Sequence, residues 1–450
     1  MKSTKKFGLF TSVCMIVGVV IGSGIFFKCD LVLTYTNGNI GLGVLSFVLA
    51  AMAIVFGSLT VAELALRSNK VGGIIDYIET YSSSQLACGL GWFQCFVYFP
   101  ANVAVIAHIA TLYIEVLFGW HLSLEASIGL TFGVIFFIYT IHYYSTQLAG
   151  LFQNAATIIK LVPLCLVIVY VLFEHSITVS GNGLPPIHSS NHWFAAVGPV
   201  AFAYDGWIIA TGMSHVIKDS KRNLPLALII APIFILCMYV AYFVAASTIL
   251  GPARIVALGK AHVYTLFNVI LGPLGSKFLM IFVIVSVLGT LNGFILASGQ
   301  GFYVLGVKKM VPKSKQLAHI NKLSQTPMKS ILFAFIISTF WLLIHYVTSK
   351  FTLLDKSDVS EITVIIFHLL FIILYIQVIK FGKKGIIKNP IRCYIIPGLA
   401  ILGSLFIFFG GMNSLMSLLY SIAFIAIMWV GSWYFKYQKR QEGERLEEVC

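Results

Sequence analysis

Apolar residues in this chain run in long unbroken stretches, without the alternation of a half-buried strand or the one-sided stripe of a surface helix. A helix needs about 20 apolar residues to cross the hydrocarbon core of a bilayer. Runs of that length predict spans at 8–35, 41–66, 87–118, 126–144, 148–173, 193–215, 224–250, 274–305, 328–347, 359–380, 393–411 and 414–435. Most connections are short. Pro252 to Pro273 is longer and mildly amphipathic, which predicts an external re-entrant or surface helix. Glu174 to Asn191, with Ser180-Gly181-Asn182-Gly183 and Pro185-Pro186, predicts a polar outer loop linking two halves.

Composition agrees with the pattern. Of 450 residues, 59% are hydrophobic and 10% charged, against about 45–50% and about 25% in soluble domains. A mean hydropathy of +0.93 excludes a cytosolic enzyme, a secreted disulfide scaffold and a disordered tail protein. A net charge of +14 would suggest nucleic acid in a soluble chain. Here the charge has an address. With a cytoplasmic N-terminus, every Lys and Arg falls on the inner side except Lys28, Arg254, Lys260, Lys277, Lys350 and Lys356 outside and Lys160 within a span. The positive-inside rule therefore predicts a multi-pass protein of the cell membrane with both termini cytoplasmic and no nucleic-acid partner. The eight cysteines lie mostly in apolar segments without CxxC spacing, so neither a disulfide framework nor a metal is expected. Lys2, Lys5 and Lys6 precede an apolar run, but Gly22 to Asp30 is a poor cleavage site, so no cleavable signal is read.

Two spans are interrupted. The first carries Gly18, Gly22 and Gly24 in GVVIGSGIF; the sixth carries Gly198-Pro199 and then Tyr204-Asp205-Gly206-Trp207. Gly18-x-x-x-Gly22 alone is a helix-packing motif. Its pairing with a second break five spans later, one that contains an aspartate, points to a transporter built of inverted repeats. Breaking a helix in lipid frees backbone groups, which is tolerated only where protein, water or substrate satisfies them. A half-helix N-terminus then suits a carboxylate, and freed carbonyls suit an ammonium.

The residues at the breaks also resemble a family. VVIGSGIFF in span one, and FAYDGW followed by IKDSKRNLPLAL, resemble the amino acid–polyamine–organocation superfamily, within it the L-type amino acid transporters and their bacterial exchanger relatives. The resemblance implies an all-α membrane protein of about twelve transmembrane helices, with a five-plus-five inverted-repeat core and two peripheral helices. Residues 1–174 would form the first repeat, 175–381 the second, and 382–450 the last two helices and tail. It implies that the backbone of Ile21-Gly22-Ser23-Gly24-Ile25 takes a substrate α-carboxylate, and that carbonyls around Phe202, Ala203, Asp205 and Ile21 take its α-ammonium. Phe202 matches the family's gating aromatic, and Tyr242 a tyrosine that steadies the first break. The sequence departs from the family at Val71-Gly72-Gly73-Ile74-Ile75-Asp76-Tyr77 and at Ser214-His215, near the inner gate. It also lacks a cysteine between Gly119 and Glu125, where animal relatives bind a heavy chain, so no disulfide-linked heavy chain is expected.

Lys160 and Asp205 are read as the deep ionisable groups other than His and Tyr, and such charges are functional candidates by default. By resemblance, TIIKLVPL places Lys160 where sodium-coupled relatives bind sodium, with Ser286 as its partner on span eight; this implies sodium-independent exchange. Asp205 has two readings: a cap for the second half of span six, which suits a small neutral substrate such as serine, alanine or threonine, or a contact for a cationic side chain. Tyr204 and Trp207, beside Phe202, are candidates to close over a substrate. His108, His345 and His368 are expected to be satisfied interior residues, and His188 and His192 lack a matching acid for zinc. No cofactor is called for. A membrane enzyme would need a convergent catalytic cluster and a channel a filter-like repeat, and neither is found. A transporter-like sensor would want an extra soluble domain. The expected function is exchange of small neutral amino acids by alternating access, with a cationic/neutral exchanger and a proton-coupled symporter as alternatives.

Overall fold

The computed structural model describes residues 8–68, 73–145, 152, 155–173, 187, 193–208, 217–321, 326–354, 357–412 and 415–447. Leu9–Val20 (α1) and Ser23–Tyr35 (α2) belong to one apolar segment bent by 51°. The bend arises because Ile21 is extended (φ −70°, ψ 109°) and Gly22 also leaves the helical region (φ −158°, ψ −126°). Ile40–Ala65 (α3) starts at Asn39, whose side chain caps the Leu42 amide. Ile74–Tyr81 (α4) is a short helix absent from the sequence expectations, entered through Gly73 in the left-handed region (φ +63°).

Ser84–Phe118 (α5) contains a π-helical turn at Gln94–Tyr98 and is followed by Leu124–Tyr144 (α6) and Ala155–Phe173 (α7). Trp193–Ala203 (α8) is the first half of span six. Then come Ser220–Leu250 (α9), Pro252–Leu258 (α10) and His262–Val307 (α11), the last kinked where Gly272 takes φ +72°. The segment expected to lie outside the membrane therefore forms α10 and the start of α11, ahead of that kink. Met328–Lys350 (α12), Val359–Lys383 (α13), Ile391–Gly411 (α14) and Leu415–Glu447 (α15) complete the chain.

Among the described residues, ten helices are long and apolar enough to cross a membrane, and the bent pair α1–α2 makes an eleventh. The expected sixth span is described through residue 208 only. The molecule is an all-α, multi-pass membrane protein. Large apolar side chains such as Phe136, Phe137, Leu172 and Trp429 face outward, as a lipid solvent allows. The two broken segments lie at the centre: α1 against α9, α2 against α8, and α8 against α13. Around them α3 packs on α9 and α14, and α11 on α5.

Candidate functional site

A helix end leaves its last four carbonyls without intrahelical partners, and at the end of α1 each one is met. Val17 O accepts from the Ile21 amide at 2.9 Å. Gly18 O accepts from Lys160 Nζ of α7. Val19 O accepts from Thr290 Oγ1 of α11 at 3.4 Å, and Val20 O from Tyr239 Oη of α9 at 3.1 Å. Three different helices thus supply the donors that make a mid-membrane break tolerable. The same Tyr239 hydroxyl lies 3.0 Å from Ala203 O, the last carbonyl of α8, and so bridges both breaks.

Glycine lets these elements approach. A Cβ on Gly18 would lie 2.3 Å from Thr157 Oγ1, and one on Gly22 would lie 1.9 Å from Thr290 Oγ1. On Gly24 it would meet Ala203 Cα at 2.4 Å, so Gly24 serves the contact of α2 with α8. That differs from the expectation of close approach to a ligand alone. On the opposite side of the break, α2 begins without a side-chain cap. The amides at Ser23, Gly24 and Ile25 therefore form an uncapped helix start, which favours an anion.

In the second break Asp205 is 8% exposed, and both carboxylate oxygens face Tyr98 Oη, at 2.8 and 2.6 Å. Tyr98 closes the π-helical turn of α5, a local rearrangement frequent at functional sites. Phe202 O already accepts from the Asp205 amide at 3.1 Å. Phe202 and Ala203 O, both expected at an ammonium site, thus carry protein donors, each carbonyl keeping a second lone pair. Gly206 takes φ +99°, which a side chain would rarely adopt.

Several expectations are corrected. Tyr239, three residues before Tyr242, is the tyrosine that bonds the first break; the Tyr242 hydroxyl is buried without a partner and its ring meets Phe26 edge-on at 5.3 Å. Ser286 is buried on α11, but its hydroxyl bonds nothing, so it is not the hydrogen-bond partner of Lys160. Instead the ammonium lies near Gly289, where an added Cβ would be 3.7 Å from Nζ. Tyr204 packs against Phe47 and Tyr239, and Trp207 against Phe371.

His108 bonds Thr131, but both ring nitrogens of His345, and Nδ1 of His368, are buried without partners. Lys160 and Asp205 are not the only deep charges either: Lys28 and Glu361 are both 1% exposed, and they pair with each other. Helix spacing carried a signal for this pair, since Lys28 lies four residues beyond Gly24, and Asp358-x-x-Glu361 has the spacing of a helix-start box. Val71-Gly72, His188, His192 and Ser214-His215 lie outside the described residues.

Comparison with known proteins agrees with this architecture. The amino acid permease family model matches residues 7–437. The chain is 27% identical to the serine/threonine exchanger SteT of Bacillus subtilis (strain 168), over 90% of each sequence. It is 26% identical to the b(0,+)-type amino acid transporter 1 of Mus musculus, over 98% of this chain and 90% of that one. To the large neutral amino acids transporter small subunit 2 of Homo sapiens it is 28% identical, over 76% of this chain and 64% of the relative. With paired breaks at the centre of the bundle and a match across nearly its whole length, this chain belongs to the amino acid permease family.

Proposed function

We propose that the protein is a sodium-independent exchanger of small neutral L-amino acids, working by alternating access. The observation that carries this reading is the Lys160–Gly18 bond: a fixed ammonium from α7 holds a carbonyl of the first break, a task that a mobile cation would otherwise perform. The uncapped start of α2 at Ser23 to Ile25 would take the substrate α-carboxylate. The α-ammonium would meet the remaining lone pairs of Ala203 O and Phe202 O and the Ile21 carbonyl. Phe202 closes the site, and Lys160 and Tyr239 keep the broken segments in register. Both Asp205 oxygens face the Tyr98 hydroxyl, which gives the carboxylate a protein partner without any cationic side chain and so supports a neutral substrate. Serine and threonine fit this reading, and the exchanger from Bacillus subtilis is described as acting on that pair.

The chain acts as a carrier rather than an enzyme. It lies in the cell membrane with both termini cytoplasmic, as its Lys and Arg distribution supports. Its two five-span repeats cover 1–174 and 175–381, each opening on a broken helix. It needs no disulfide-linked heavy chain, since Gly119 to Glu125 carries no cysteine. Purified protein in liposomes preloaded with serine should take up labelled serine or threonine faster than in empty liposomes, equally in sodium and choline buffers. Uptake without this trans-stimulation, or a strict need for sodium, would overturn the proposal.

A further inference from the structure

Lys28 lies four residues beyond Gly24, on the same face of α2 and one turn nearer the outer end. A buried ammonium in a membrane segment is expensive unless it is paired. Lys28 is met from two other elements. Its Nζ donates to Asp358 Oδ2 at 2.7 Å and to Glu361 Oε1 at 2.5 Å, at the start of α13. It also lies 4.8 Å from the centroid of the Phe202 ring in α8, within cation–π range.

Among the described residues, the α2 and α13 backbones scarcely pack on one another. Next to this cluster, Lys260 donates to Phe27 O at 2.8 Å and pairs with Asp30 at 3.0 Å, tying the segment after α10 to the same part of α2. The outer half of α2 is therefore clasped by charge on two sides, directly above the break.

The geometry points to Lys28 as the latch of the outer gate: its pairs with Asp358 and Glu361 hold α2 and Phe202 over the substrate site and must separate before the outer side opens. This inference rests on the exchanger reading. Asp358 is fixed independently of Lys28, because it caps α13 through the Ser360 and Glu361 amides. Glu361 has no such duty, so it is the arm through which the latch can be weakened without unravelling the helix.

A latch biases two folded states, whereas a purely structural pair affects only how much protein folds. Weakening the latch raises the outward-open fraction, and apparent affinity scales with the fraction competent to bind. Wild type, Glu361→Gln, and the reversed pair Lys28→Glu with Glu361→Lys are compared in proteoliposomes by external half-saturation and maximal exchange rate. Glu361→Gln should lower external half-saturation by about threefold to tenfold and slow maximal exchange, because one charge-assisted bond to the closed state is lost. The reversed pair should bring half-saturation back towards wild type. An unchanged or raised half-saturation in Glu361→Gln overturns the latch, and that variant decides alone if the reversed pair does not insert. Absence of trans-stimulation in wild type would defeat the exchanger reading instead, so the two failures are distinguishable.

Discussion

Tyr239→Phe and Tyr242→Phe each remove one hydroxyl from fully buried positions on the same helix, yet they should behave differently. The Tyr239 proton serves Val20 O and Ala203 O, the last carbonyls of the two broken half-helices. One proton cannot fully satisfy both, so the conservative count is a single orphaned carbonyl. That costs about 1–3 kcal/mol. At 1.4 kcal/mol per tenfold, the geometry in which both breaks are bridged loses roughly 5-fold to 150-fold in population.

The Tyr242 hydroxyl has no partner to lose. Its ring contact with Phe26, at 5.3 Å and 81°, survives in phenylalanine. Removing a buried unpaired hydroxyl is neutral to slightly stabilising. In proteoliposome counterflow with labelled serine, Tyr239→Phe should lose about tenfold or more in exchange rate, and Tyr242→Phe should stay within about twofold of wild type. Thermal unfolding in detergent should show the same order. If Tyr242→Phe is the more damaging variant, or the two are alike, the assignment of the bridge to Tyr239 is refuted.

Lys160→Met keeps the apolar stem but leaves Gly18 O without its ammonium. Exchange should fall by about tenfold or more, and a methionine variant running at full rate would remove Lys160 from the mechanism. Asp205→Asn preserves a polar partner for Tyr98 and a competent cap, so serine exchange should persist within about threefold; its complete loss in well-inserted protein would show that the carboxylate charge is needed for neutral substrates. Gly24→Ala drives a methyl group into the backbone of Ala203, and such overpacking costs about 1–3 kcal/mol. A lowered melting temperature should accompany the loss of exchange, whereas an unchanged melting temperature with lost exchange would return Gly24 to a direct role at the ligand.

What the sequence made legible were local signals. Run length placed the spans, and the glycine cluster with the Tyr204–Trp207 turn placed the two breaks, because each is written in adjacent residues. Which donor reaches which carbonyl is a property of helix rotation, and hydropathy does not report it. Tyr239 and Tyr242 lie less than one turn apart in a helix that is apolar all round, so composition could not say which hydroxyl turns towards the break. Tyr98 is aimed by a π-helical turn that shifts the helical register. Charge counting places Lys28 outside, because every lysine near a span end then counts as loop. The structure instead buries it against two carboxylates from a span more than three hundred residues away.

At the opposite end of α11 from the proposed latch, the arrangement recurs with different residues. Lys308, just beyond α11, pairs with Asp76 at 2.5 Å and with Glu79, tying α4 to the end of span eight. Lys28 does the corresponding work from α2 to α13. Between them the breaks are held by single side-chain donors: Lys160 meets the first break, and Tyr239 bridges both. Movement of α2 is therefore opposed beyond the break by ion pairs, and movement of α1 at the centre by hydrogen bonds to carbonyls that have no helical alternative. Exposed ion pairs are weak and exchange readily with water, and the Lys308 pairs are the more exposed of the two sets. The buried Lys28 pairs can separate only if water or substrate replaces them. It follows that the outer latch, rather than the inner tie, should set the energy difference between the closed and open outer faces.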